Sequence, residues 1–227
     1  MIQALIETIF DLVYLFGVII AGIIMINKGS KNSLVRNFGF MAVVLGAGDS
    51  FHLVPRMYAL WTTGLEANAA ILGAGKLITS ITMTIFYLIL YYIWRERYEI
   101  KERKNITVTM WVLTIARIGL CLLPQNDWFA YNQPLFYGIL RNIPFSIMGI
   151  IIIFLFAQEA KNINDRVFSN MPLAVILSFG FYIPVVLFGS TIPLLGMLMI
   201  PKTLAYVWVV RMGWRLYRQS QHKLGVE

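Results

Sequence analysis

The chain has 227 residues, of which 59% are hydrophobic and 13% charged, with 19 Lys and Arg against 11 Asp and Glu. Soluble domains carry roughly a quarter charged residues, so the composition excludes an ordinary soluble domain and points to a membrane protein. A single cysteine, Cys121, excludes an internal disulfide framework and a cysteine-based metal cluster.

A bilayer core takes about 20 residues of helix, and seven apolar runs approach or exceed that length: 4–26, 38–60, 69–94, 106–123, 136–156, 171–188 and 192–214. They leave no room for a separate soluble domain. The expected architecture is an all-α, seven-transmembrane-helix bundle occupying 1–227 as one integral membrane domain, with a basic tail over 215–227.

The first run carries Glu7 and Asp11 and has no basic leader, so it reads as a retained first helix rather than a cleavable signal. After it come Lys28, Lys31 and Arg36. The second run contains GAGDSFHLVPR, residues 46–56, which places Asp49, His52 and Arg56 on one narrow helical stripe beside Pro55. The third carries a second polar stripe, Lys76, Ser80, Thr84 and Tyr87, and ends in Arg95, Arg97, Lys101, Arg103 and Lys104. Arg117 stands late in the fourth run; Arg141, with Asn142 beside it, stands early in the fifth, near Pro144. Lys161 and Arg166 precede the sixth run, which has no charge. The seventh holds Pro201, Lys202, Thr203 and Tyr206, with Lys202 expected near mid-helix, before a tail containing Arg211, Arg215, Arg218 and Lys223.

Fourteen of the 19 basic residues thus lie in alternate connections and the tail, while 57–68, 124–135 and 189–191 contain none. Excess Lys and Arg marks the cytoplasmic side, so the N-terminus is expected outside and the C-terminus inside. The basic balance then needs no nucleic-acid partner; these side chains suit anionic lipid. The abundance of Ile, Lys and Met suggests a bacterial plasma membrane.

Five basic residues remain inside apolar runs: Arg56, Lys76, Arg117, Arg141 and Lys202. With Glu7, Asp11 and Asp49 they all fall between the midplane and the outer surface. A charge at the centre of a lipid-facing helix costs about 2.5–3.5 kcal/mol on insertion scales, so these groups are expected to face a shared interior site. Direct ion pairs such as Asp49–Lys202 or Asp11–Lys76 are the plainer explanation. Five cations against three carboxylates leave a surplus that an anion would relieve.

The leading expectation is therefore a transporter or receptor-like binder with an outward-facing polar cavity. Its ligand would be an anionic lipid head group or anionic small molecule, held by Glu7, Asp11, Arg56, Lys76, Ser80, Thr84, Tyr87, Arg117, Arg141, Asn142, Lys202 and Tyr206. The alternative is a lipid-modifying enzyme of hydrolase type, with Asp49 and His52 one turn apart as an acid–base pair. No cofactor and no metal is expected, and the oligomeric state is left open. Lys202 in a seventh helix resembles the lysine of the retinal-binding rhodopsins, which would imply a photoreceptor. However, Leu198 stands where an acid would precede it, and the third run offers Lys76 instead of a counter-ion carboxylate. Gly48-Asp49 resembles the intramembrane Gly-Asp motif of the membrane lysoplasmalogenases, and Pro124-Gln125 the dipeptide of PQ-loop transporters; neither dipeptide transfers a residue role.

Overall fold

The computed structural model describes residues 2–29, 32–189 and 192–223; Lys31 and the last four residues of the tail lie outside them. It is all-helical, with 86% helix and no strand among the described residues. The helices are α1 (Ile2–Lys28), α2 (Ser33–Trp61), the single turn α3 (Gly64–Ala67), α4 (Ala69–Arg97), α5 (Lys104–Leu122), α6 (Leu135–Asn162), α7 (Met171–Phe188) and α8 (Met199–Lys223). All but α3 are long and apolar enough to cross a membrane.

The seven long helices close a ring in chain order. Each packs on the next, α1 on α2, α2 on α4 and so on to α7 on α8, and α8 returns to α1 and α2. Small residues let neighbours approach closely, as is usual where lipid removes the hydrophobic drive between helices. A Cβ on Gly75 of α4 would collide with the Phe51 backbone of α2, and one on Gly48 would collide with Thr82 of α4. That contact seats the stripe bearing Asp49 and His52 against α4.

The ring is filled at one end and hollow at the other. Toward the basic connections, Phe38, Phe86, Tyr87, Tyr91, Trp94, Phe156 and Phe168 are fully buried; Phe38 stacks on Phe168 and Tyr91 on Trp94, while Phe86 meets Tyr87 edge-on and Phe156 meets Phe168 at a tilt. That end is also tied by polar contacts. Arg97 pairs with Asp165 at 2.9 Å and Arg103 with Glu159 at 3.2 Å. Asp165 Oδ1 also accepts from Val167 N and Phe168 N. Burial of Asp165 works against its charge. The Arg97 hydrogen bond, the Val167 amide, the Arg97 charge and the Phe168 amide overcome that and hold the carboxyl below its usual range. Burial first, then the adjacent Asp165 charge, push the Tyr98 phenol upward.

The seventh apolar run departs from its expected form. Pro193–Leu198 is a 3-10 segment, and α8 starts only at Met199 and runs on through the basic tail to Lys223. Lys202 therefore lies in the first turn of α8, not at mid-helix. Pro201 shares that turn, where a missing N–H costs no helical bond. Pro55 and Pro144 do lie inside α2 and α6, and so does Pro184 inside α7.

Candidate functional site: a charged cavity in the hollow half

The hollow half encloses a cavity of about 650 Å³, within the range of small-ligand sites. Glu7, Asp11, Asp49, Arg56, Lys76, Arg117, Arg141 and Lys202 all line it. So do His52, Ser80, Asn142 and Tyr206. Thr84 and Tyr87 do not. Thr84 Oγ1 donates to the Ser80 carbonyl at 2.7 Å, and the Tyr87 hydroxyl meets Ser178 Oγ at 3.3 Å within the packed core. The polar stripe of α4 thus reaches the cavity through its first two members only, because the ring fills with aromatic side chains one turn further on.

The acids stand on one wall. Glu7 and Asp11 come from α1 and Asp49 from α2. Arg56 pairs with Glu7 at 3.0 Å. Tyr14 donates to Asp49 Oδ2 at 2.6 Å, so the carboxylate is held from behind by its neighbouring helix. The expected ion pairs are not formed: among the described residues the cavity contains the Arg56–Glu7 pair alone, and neither Asp49–Lys202 nor Asp11–Lys76 lies within 4 Å. Asp49 and His52 both line the cavity, with no hydrogen bond between the two side chains.

Three of the remaining cations, Arg117, Arg141 and Lys202, lie against aromatic faces instead of carboxylates. Arg117 Cζ sits 3.4 Å from the centroid of Phe145, and Arg141 Cζ 4.2 Å from that of Trp128. Lys202 Nζ lies 4.9 Å from the Tyr182 ring and 5.5 Å from the Tyr206 ring. A ring face attracts a cation through its quadrupole but fills none of its hydrogen-bonding positions. Arg117 is the extreme case. It is 2% exposed, yet Nε and Nη1 have no acceptor.

The loop between α5 and α6 closes over this wall. Asn126 Nδ2 donates to the Leu120, Cys121 and Leu123 carbonyls, capping the end of α5, while its Oδ1 accepts from Arg141 at 2.8 Å. Trp128 Nε1 donates to the Cys121 carbonyl, and Gly73 leaves room for the Trp128 backbone against α4. The first turn of α8, with Met199, Ile200, Lys202 and Thr203, forms another part of the lining. Its helix dipole adds positive potential there.

The sequence stripes overlooked four contributors: Tyr14, Asn126, Phe145 and Tyr182. Tyr14 carried a signal, since 7, 11 and 14 repeat at helical spacing on one face. Asn126 lies in a loop, and Phe145 and Tyr182 stand in apolar runs, where an aromatic is ordinarily core. No group of three or more His, Cys, Asp or Glu among the described residues is arranged to hold a metal ion. Comparison of the chain with protein-family models, curated proteins and solved structures finds no match, so the functional reading rests on the geometry of this cavity.

Proposed function

We propose that the protein binds an anionic lipid head group or anionic small molecule in the hollow half of the bundle, as a transporter or receptor-like binder in a plasma membrane. In this reading the N-terminus is outside, the C-terminus is cytoplasmic and the cavity faces outward. One observation carries it: Lys76, Arg117, Arg141 and Lys202 face one cavity without a carboxylate partner within 4 Å. Of these, Arg117 and Lys202 are buried; a buried charge left unpaired costs several kcal/mol on the order of its desolvation, and an anion is the group that offsets it. Arg and Lys are the side chains that recognise phosphate and carboxylate.

The test is thermal unfolding of the purified protein in neutral-lipid nanodiscs, titrated with inorganic phosphate, short-chain carboxylates and anionic phospholipids. Stabilisation that saturates, and that is weakened in Lys202→Gln, is the expected result; a flat response to every anion would remove the reading. The hydrolase alternative draws support only from Asp49 and His52 sharing the cavity. It predicts a new species in mass spectra of lipid extracts incubated with the protein. Reporter fusions to each terminus test the orientation.

A further inference from the structure

Charge is unevenly distributed around the cavity. Its cations and acids come from α1, α2, α4, α5, α6 and the first turn of α8, whereas the wall built by α7 and the segment after it contributes none. From Ile183 to Ile200 the sequence holds no Asp, Glu, Lys, Arg or His. Tyr182, Val185, Val186 and Gly189 line the cavity from α7 and its end, at the spacing that puts them on one helical face. Gly196, Met199 and Ile200 continue this apolar strip across to α8. Lys202 stands at its foot: Nζ lies 4.9 Å from the Tyr182 ring, one turn from Val185 and Val186. A cation thus abuts a strip of hydrocarbon inside one cavity. The wall is also thin here. Outward of Met199, the seventh place in the ring is taken by the 3-10 segment Pro193–Leu198, packed on α7 and α8. Gly196 of that segment lines the cavity, while Leu194 and Met197 are exposed and lie outside the lining. A short stretch of backbone separates the two sides, and a Cβ added at Gly196 would meet nothing within 4 Å.

We propose that the occupant is an anionic amphiphile. Its phosphate or carboxylate head lies at Lys202, and its hydrocarbon chain runs along Tyr182, Val185, Val186 and Gly189 and leaves toward the bilayer past Gly196. This rests on the anion-binding reading above and narrows it from any anion to one that carries a chain. A small hydrophilic anion would neutralise Lys202 but leave the apolar strip in contact with water. A chain covers it, and each methylene moved from water against apolar side chains strengthens binding roughly fourfold. The cavity of about 650 Å³ has the size of a site for a small ligand and is too small for a whole membrane lipid. A long chain therefore continues outside it, and Pro193–Leu198 is where the wall offers least to cross. Such an amphiphile is either a lipid of the surrounding bilayer or a single-chain anion.

The experiment varies the chain and keeps the head. Full-length protein in neutral-lipid nanodiscs is titrated with methyl phosphate and with hexyl phosphate, read by saturation of the thermal stabilisation and corrected for partition into protein-free nanodiscs. Hexyl phosphate should bind at least about tenfold more tightly. Gly196→Phe, which fills the exit, should cut that ratio to below about threefold; a ratio that survives the substitution unchanged overturns the proposal. A second readout needs no variant to fold. Hexyl phosphate carrying a diazirine at the chain end should label wild-type protein within residues 182–200, and excess methyl phosphate should suppress the label. Label that falls elsewhere, label that methyl phosphate does not suppress, or equal binding of the two phosphates overturns the proposal and leaves the anion reading standing. Failure of both phosphates to bind removes both. Doping the nanodiscs with phosphatidic acid distinguishes the two sources: competition against hexyl phosphate assigns a bilayer lipid, and its absence a single-chain anion.

Discussion

The two halves of the bundle handle charge in opposite ways. In the filled half, Arg97 and Arg103 each meet a carboxylate, and Asp165 gathers Arg97, Tyr98 and two backbone amides. In the hollow half, Arg117, Arg141 and Lys202 lie against rings, and Arg117 keeps two nitrogens without acceptors. Paired ions at the first end are what structural cross-linking looks like. Unpaired ones around a cavity cost stability, a cost that the proposed anion would offset. Charge within a spanning bundle is therefore informative only together with its partners.

Replacements that remove these partners should break the comparison in opposite directions. Asp165→Ala strands Arg97 and uncaps Val167 and Phe168, and should lower unfolding stability by about 2–3 kcal/mol, read by thermal or denaturant unfolding in nanodiscs. Arg117→Met removes a buried charge that has no counter-ion. It should leave the unliganded protein as stable as wild type or about 1 kcal/mol more stable, while its anion-dependent stabilisation disappears. A loss of stability comparable to that of Asp165→Ala would mean that Arg117 is a structural cross-link.

Smaller effects sharpen the same contrast. Tyr14→Phe deletes the 2.6 Å hydrogen bond to Asp49 and should cost about 1 kcal/mol in the same assay. Acidification separates the two halves as well. The Asp165 carboxyl is held below its unfolded value, so its contribution is complete above about pH 4 and is lost as pH falls through the folded value. The stability of Asp165→Asn should accordingly fall less steeply below that pH. Glu7→Gln should have the smallest effect, below about 1 kcal/mol, because Arg56 in that pair is partly solvated.

Composition and run length alone determined the seven helices, because a membrane demands long apolar segments whose backbone bonds are satisfied internally. The same logic made it legible that eight ionisable groups from different runs belong together: hydrocarbon leaves them nowhere else to go. The sequence did not reveal which groups face each other. Asp49–Lys202 and Asp11–Lys76 were reasonable on depth, yet Asp49 turned to Tyr14 and Lys202 to two tyrosine rings. Helical spacing also carried Thr84 and Tyr87 into the polar stripe, whereas the tertiary fold fills the ring at their level. Depth along a helix follows from counting residues, because the rise per residue is fixed. Partner choice and cavity extent depend on how each helix is rotated and what packs across from it, and only the closed ring decides that.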